Sequence, residues 1–369
     1  MIHDAQTSMS FLVPPLIPFN EMSLELPSSP ILWQAKTATA WRDAYLALNP
    51  NGNRKLPTMA ACIQDTHQLL DISDNVDLAF TVKIVLHRLW SLIWDCRQLG
   101  SAQKHPTIET PKLAASNTLI SSYWQQELCQ VLHGFWMVAT ELDASSCTCT
   151  LIYEHLLLNV YVAFEELQLF AGKEGTQDAR RVVPILRQWA LSRDSRQAVW
   201  HAGQVVRAAA SFPPDMLRDF HAIALYHAGL TFWAYGILVN DSKHPSRQRS
   251  GSVAGSGLRP GMPAPISEIV FLNEQETAES QKFVALGRIT PALRRRSAST
   301  LRHDDQSMSG VFAARDVAFL DDPRAVMEVV IGVLQNNCSA ATKFIPPLVE
   351  NLTHLMRDLS NAATKIRRK

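Results

Sequence analysis

Apolar residues recur along this chain at intervals of three and four, the spacing that lines up one face of a helix. Over Val76–Leu99, the residues Leu78, Val82, Val85, Leu86, Leu89 and Ile93 keep that interval, while Phe80, Ile84, Trp90 and Trp94 fill other faces. A helix apolar around most of its circumference is expected to be buried. Thr118–Leu142 carries a stripe of Leu128, Val131, Leu132, Phe135, Ala139 and Leu142. Leu151–Phe170 carries another, of Ile152, Leu156, Val160, Ala163, Phe164 and Leu167. Shorter helices are predicted over Arg181–Ala190 and Arg196–Ala210, then a long apolar one over Met216–Val239.

Polar punctuation separates these runs. Residues 1–18 read as a short prolyl lead-in. Met22, Leu24 and Leu26 alternate with Ser23 and Glu25, an extended segment closed by Pro27. Ser29 then suits an N-cap and Pro30 the first helical position, where a missing N–H forfeits nothing. A second start falls at Thr37, with Trp41 and Tyr45 one turn apart, and Asn49–Gly52 ends that helix. Asn273 and Glu276 have capping-box spacing ahead of a helix to Leu286. Asp322-Pro323 opens a helix to Asn336. Pro346-Pro347 opens the last, with Leu348, Leu352, Leu355, Met356 and Leu359 on its face. Residues 240–265 and 291–310 are poor in large apolar side chains and read as mobile polar insertions, and 361–369 as a basic tail. No strand run and no fixed-period repeat stands out. The predicted fold class is all-α: one irregular multi-helix domain over 19–360 with two mobile insertions.

Composition narrows the function. The 369 residues are 47% hydrophobic and 19% charged, as in a globular chain with a sizeable core. A formal net charge of +1 is a poor footprint for gripping nucleic acid unaided. The six cysteines are dispersed and contain no Cys-x-x-Cys pair, and Cys147 and Cys149 are too close together for that pattern. The N-terminus lacks the pattern of a secretory signal. No uninterrupted apolar run approaches about 18 residues, so no membrane span is expected.

Catalytic and cofactor signals are sparse. His221 and His227 are six residues apart and fall on different helical faces, unlike an i, i+4 zinc pair, so packing is the plainer reading. Asp304-Asp305 and Asp321-Asp322 invite a helical enzyme that holds Mg²⁺ against a diphosphate, but neither pair has the third acid that chemistry needs. Asp322 is better explained as a helix cap. No nucleophile elbow, dinucleotide fingerprint or phosphate loop occurs, and Gly251–Gly261 lacks the flanking strand and helix. No catalytic, cofactor-binding or metal residue is assigned. The nine tryptophans sit mostly on apolar stripes, where core packing is plainer than base stacking.

Basic clusters offer more. Arg294, Arg295 and Arg296 precede Ser297 and Ser299, and Arg247 and Arg249 precede Ser250. Both patterns suit a basophilic kinase, whose phosphate would cancel local positive charge. Arg294–Arg296, or Lys365, Arg367, Arg368 and Lys369, could serve nuclear import. A solvated charge run is the plain alternative.

Four segments carry a resemblance. Phe19–Leu46 reads FNEMSLELPSSPILWQAKTATAWRDAYL: an acidic and leucine alternation, a Pro-Ser-Ser turn and two tryptophan-bearing helices. Asp194–Ala209, Arg218–Leu238 and Asp321–Leu359 follow in register. Together they resemble the regulatory (middle homology) domain of fungal zinc-finger transcription factors. The similar subgroup carries two-Cys two-His fingers, a binuclear zinc cluster, or both. The resemblance implies an all-α fold, a nuclear location and control of RNA polymerase II transcription. It implies transcription machinery or other regulators as partners. DNA reading and zinc belong in that family to a module absent from these residues. Two expectations follow: a finger-bearing segment lies upstream in frame of Met1, or the chain is a finger-less helical module competing for the partners of related regulators. A metal-dependent helical enzyme is the third reading.

Overall fold

The computed structural model describes residues 1–18, 23–50, 55–103, 111–243, 268–295, 316–338 and 345–367. Helices dominate them, with a single small sheet, as the all-α expectation required. They form two compact units, Met1–Val160 and Tyr161–Lys369.

The first unit begins with a helix, not an irregular lead-in. Its helices are α1 (Ile2–Phe11), α2 (Pro30–Gln34), α3 (Ala38–Leu48), α4 (Met59–Gln64), α5 (Gln68–Ile72), α6 (Leu78–Gln103), α7 (Pro111–Glu141) and α8 (Cys147–Tyr161). α1 is mostly small and polar between Ile2 and the exposed Phe11, but Ala5, Ser8 and Met9 share one face and are buried. Polar bonds hold it to α6. Trp90 Nε1 donates to Ser8 Oγ at 2.7 Å. His87 Nδ1 donates to Lys83 O, which leaves its Nε2 to accept from Gln6 Nε2 at 3.1 Å. The Asp4 carboxylate accepts from Leu16 N and Ile17 N, turning the chain back after the helix. Arg88, buried in α6, donates to the carbonyls of Ile17 and Pro18. Met22 of the expected extended segment lies outside the described residues, and the rest of it pairs as expected: Leu26 N donates to Pro57 O and Met59 N to Leu24 O. The Thr37 hydroxyl caps α3 by accepting from Ala40 N at 3.1 Å.

The second unit comprises α9 (Phe164–Phe170), α10 (Thr176–Leu191), α11 (Arg193–Ala209), α12 (Phe220–Lys243), β1 (Ile269–Phe271), α13 (Ala278–Leu286), β2 (Thr290–Arg294), β3 (Val317–Phe319), α14 (Pro323–Asn336) and α15 (Pro347–Arg367). α12 is its axis, surrounded by α9, α10, α11, α14 and α15. Trp233 Nε1 donates to Leu359 O at 2.9 Å, joining α12 to α15. Phe220–Asn240 is long and apolar enough to cross a membrane, although no uninterrupted apolar run was expected to be; most of it is buried inside the protein. Its polar interruptions, His221, His227 and Thr231, hide this property from a search for unbroken runs.

Several predicted boundaries move. The helix expected over Leu151–Phe170 is broken, because Ala163 takes an extended backbone and starts α9. The predicted capping box at Asn273 lies four residues later, between Thr277 and Ser280. Asp322 caps α14, accepting from the amides of Arg324 and Ala325. The unexpected feature is the sheet: β1 and β2 run parallel, and β3 pairs antiparallel with β2. Pro291, where the second insertion was expected to begin, lies inside β2. The first predicted insertion opens inside α12, which continues through Lys243. The remainder of both insertions lies outside the described residues.

Glycine sets how closely helices approach this sheet. A β-carbon on Gly203 of α11 would sit 2.1 Å from the carbonyl oxygen of Leu272, just after β1. One on Gly236 of α12 would sit 2.1 Å from Leu320 O, just after β3. Both positions require the absence of a side chain.

Candidate anion-binding cleft

A cleft of about 170 Å³ opens in the second unit between α11, the end of β2 and α14. Val206 and Ala210 form one apolar wall; Val329, Gly332 and Val333 form the other. Arg207, Arg294, Arg295, Asn273, Glu328 and Asn336 supply its polar side chains.

Each polar group is held by its neighbours. Gln204, nearly fully buried on α11, donates through Nε2 to the carbonyls of Leu272 and Glu274, both at 2.8 Å. Its Oε1 accepts from Arg207 Nε at 2.7 Å, so one amide joins helix to sheet and aims Arg207. Asn273 closes the other side. Its side chain accepts from Arg294 N at 2.8 Å and donates to Arg294 O at 2.9 Å, imitating a further rung of the sheet. Arg294 Nε lies 2.7 Å from Glu274 Oε1, and its guanidinium lies 4.5 Å from the centre of the Phe271 ring. Arg295 N donates to Asp316 O, and Arg295 Nη2 lies 3.4 Å from Glu328 Oε2. Glu328 is shared, for Arg324 Nε lies 3.4 Å from its other oxygen. These ion pairs are all partly solvated, so each contributes little alone. The arrangement sets guanidinium groups beside apolar walls.

The structure redistributes the residues singled out from sequence. Arg294 and Arg295 belong to this cleft and are ion-paired within the fold. Lys365 and Arg367 fall in the last turns of α15. Arg296, Arg368, Lys369, Ser250, Ser297 and Ser299 lie outside the described residues, as does Asp304-Asp305. His227 stacks on Phe164 at 4.3 Å, His201 on Tyr161 at 5.7 Å, and His221 packs near Phe212. Among the described residues no three His, Cys, Asp or Glu side chains converge as metal ligands. Trp90, Trp94, Trp200 and Trp233 are buried and Trp136 and Trp189 partly so, as expected of most tryptophans, while Trp33, Trp41 and Trp124 are exposed. Arg207, Asn273, Glu274 and Glu328 were not legible as a group, since no motif unites positions spread over three separate segments.

Comparison with known proteins gives the family context. No protein-family model matches the chain, and no solved structure matches it. A protein named as a transcription factor in Zymoseptoria tritici is 23% identical over 283 residues, covering 69% of this chain and 28% of its own. Transcription factor 1 of Elsinoe fawcettii is 22% identical over 310 residues, covering 79% of this chain and 30% of its own. Transcription factor PfmaH of Pestalotiopsis fici is 23% identical over 260 residues, covering 65% and 26%. The chain therefore spans under a third of the length of these relatives. The chain is thus distantly similar to three fungal proteins named as transcription factors.

Proposed function

We propose that this chain is the regulatory region of a fungal zinc-finger transcription factor, acting in the nucleus on RNA polymerase II transcription. The observation that carries this reading is the extent of the similarity: three fungal proteins named as transcription factors align with 65–79% of the chain. In this reading residues 19–360 are a middle homology domain, of the subgroup with two-Cys two-His fingers or a binuclear zinc cluster. DNA reading and zinc are assigned to a module outside these residues. Its partners are the transcription machinery or other regulators, and none of its residues is assigned catalysis.

The test is a fusion of the full chain to a bacterial repressor's DNA-binding domain in a fungal host. Expression from a promoter bearing that repressor's operator is expected to change at least threefold (about 0.65 kcal/mol on an equilibrium scale) relative to the repressor domain alone. An unchanged reporter with the fusion present in the nucleus counts against the proposal.

A further inference from the structure

We propose that the cleft between α11, β2 and α14 binds a small carboxylate-bearing molecule with a short hydrocarbon body. Three arginines, Arg207, Arg294 and Arg295, line it beside one carboxylate, Glu328, while Glu274 pairs with Arg294 and Arg324 pairs with Glu328. The local balance is positive, although the whole chain carries only +1. Glu328 divides itself between Arg295 and Arg324, which leaves neither guanidinium with a two-pronged partner of its own.

Donors remain to be used. Arg207 engages Gln204 through Nε, and its terminal nitrogens make no further bond among the described residues. Arg295 Nε is buried and has no hydrogen-bond partner among the described residues. A buried donor left unmet is costly, and an incoming carboxylate would meet it. Arg207 is also held in place beforehand, because Gln204 is itself anchored by two carbonyls. A ligand would not have to order it.

The apolar walls and the size define the rest of the ligand. Val206, Ala210, Val329 and Val333 offer hydrocarbon contact beside the guanidinium groups. A cavity of about 150 Å³ holds a benzene-sized molecule. The 170 Å³ here therefore suits about six to ten non-hydrogen atoms. That is too small for a nucleotide, whose pockets begin at about 300 Å³. A bare phosphate would use the arginines and leave the apolar walls unfilled.

The experiment is calorimetric titration of the purified full chain with adipate and with benzoate. Hexane-1,6-diol and benzyl alcohol serve as neutral counterparts, and inorganic phosphate as a bare anion. At least one carboxylate is expected to bind with Kd below about 1 mM. Its neutral counterpart and phosphate are expected to bind at least about tenfold more weakly. R207Q and R295Q should each weaken that carboxylate about tenfold, while R42Q on the exposed face of α3 should leave it unchanged. R207Q carries the test if R295Q does not fold, since the described side-chain bond of Arg207 lies within its own helix. Absence of binding by both carboxylates at about 10 mM, equal binding by R207Q, or tighter binding of phosphate would each overturn the proposal. The inference goes beyond the regulatory reading: the titration contains no DNA and no reporter, so either can fail without the other.

Discussion

Cys62 lies on α4 with no exposed surface, and burial together with the nearby Asp65 charge pushes its thiol up to about 12. Burial also pushes the Tyr226 hydroxyl up to about 12, and it raises Cys149 and Tyr235. In each case the neutral form is the folded form. The unfolded chain therefore releases protons first as pH rises, beginning near the ordinary cysteine value of 9.0. The stabilisation from these groups is complete below that value and is lost as pH climbs toward 12. Urea-unfolding midpoints should accordingly fall between about pH 9 and pH 11, with no comparable fall between about pH 7 and pH 8.5. A constant midpoint through that alkaline range would contradict this. The thiolate is also the reactive species, so iodoacetamide at neutral pH should spare the buried Cys62 while labelling the partly exposed Cys96, Cys147 and Cys338, as read by peptide mass spectrometry. Gly203 is the other residue-scale constraint. Gly203→Ala forces α11 away from the Leu272 carbonyl and should cost about 1–3 kcal/mol, measured by chemical denaturation. The same change at Gly134, with nothing near its missing β-carbon, should stabilise its helix by about 0.5–1 kcal/mol.

Elements differ in how their stability is shared between local and distant partners. The start of α14 is local: the Asp322 carboxylate meets two amides of the first turn, and Pro323 follows it. Asp322→Ala should cost about 1 kcal/mol. The small sheet is not local. Thr290–Arg294 has no alternation of its own and contains a proline, and it becomes a strand because β1 and β3 pair with its two edges. Asn273 extends that pairing by bonding both backbone groups of Arg294, so Asn273→Ala should cost about 1–3 kcal/mol and loosen both cleft arginines. Amide hydrogen exchange at Arg294 should speed up in that variant while the α12 amides stay protected. This difference explains which elements could be read in advance. The caps at Thr37 and Asp322 and the apolar stripes of α6 and α12 are written within a few neighbouring residues. β2, the true capping box at Thr277 and the helix of Ala5, Ser8 and Met9 depend on what packs against them, and no local pattern reports that.

At the scale of the molecule, the balance of charge separates two roles that one basic run could have served. Arg294 and Arg295 carry ion pairs inside the fold, so their replacement should alter stability and cleft binding. We propose that nuclear import rests instead on Lys365, Arg367, Arg368 and Lys369. Replacing those four by glutamine should lower the nuclear-to-cytoplasmic ratio of a fluorescent fusion at least about threefold without moving its unfolding midpoint, a change of about 0.65 kcal/mol in partition. An unchanged ratio would shift the import role elsewhere in the chain. Sequence alone determined that this protein is helical, where most of its long helices run and which caps begin them, because helical periodicity and capping act over one or two turns. It also determined that arginines cluster at 294–296. Only the tertiary structure decided that two of those arginines face Arg207 across an apolar cleft, that a three-stranded sheet holds them there, and that the most apolar helix is an interior axis. Those outcomes depend on segments as far apart as Trp233 and Leu359, 126 residues, meeting in space, where pairing and burial act irrespective of distance along the chain.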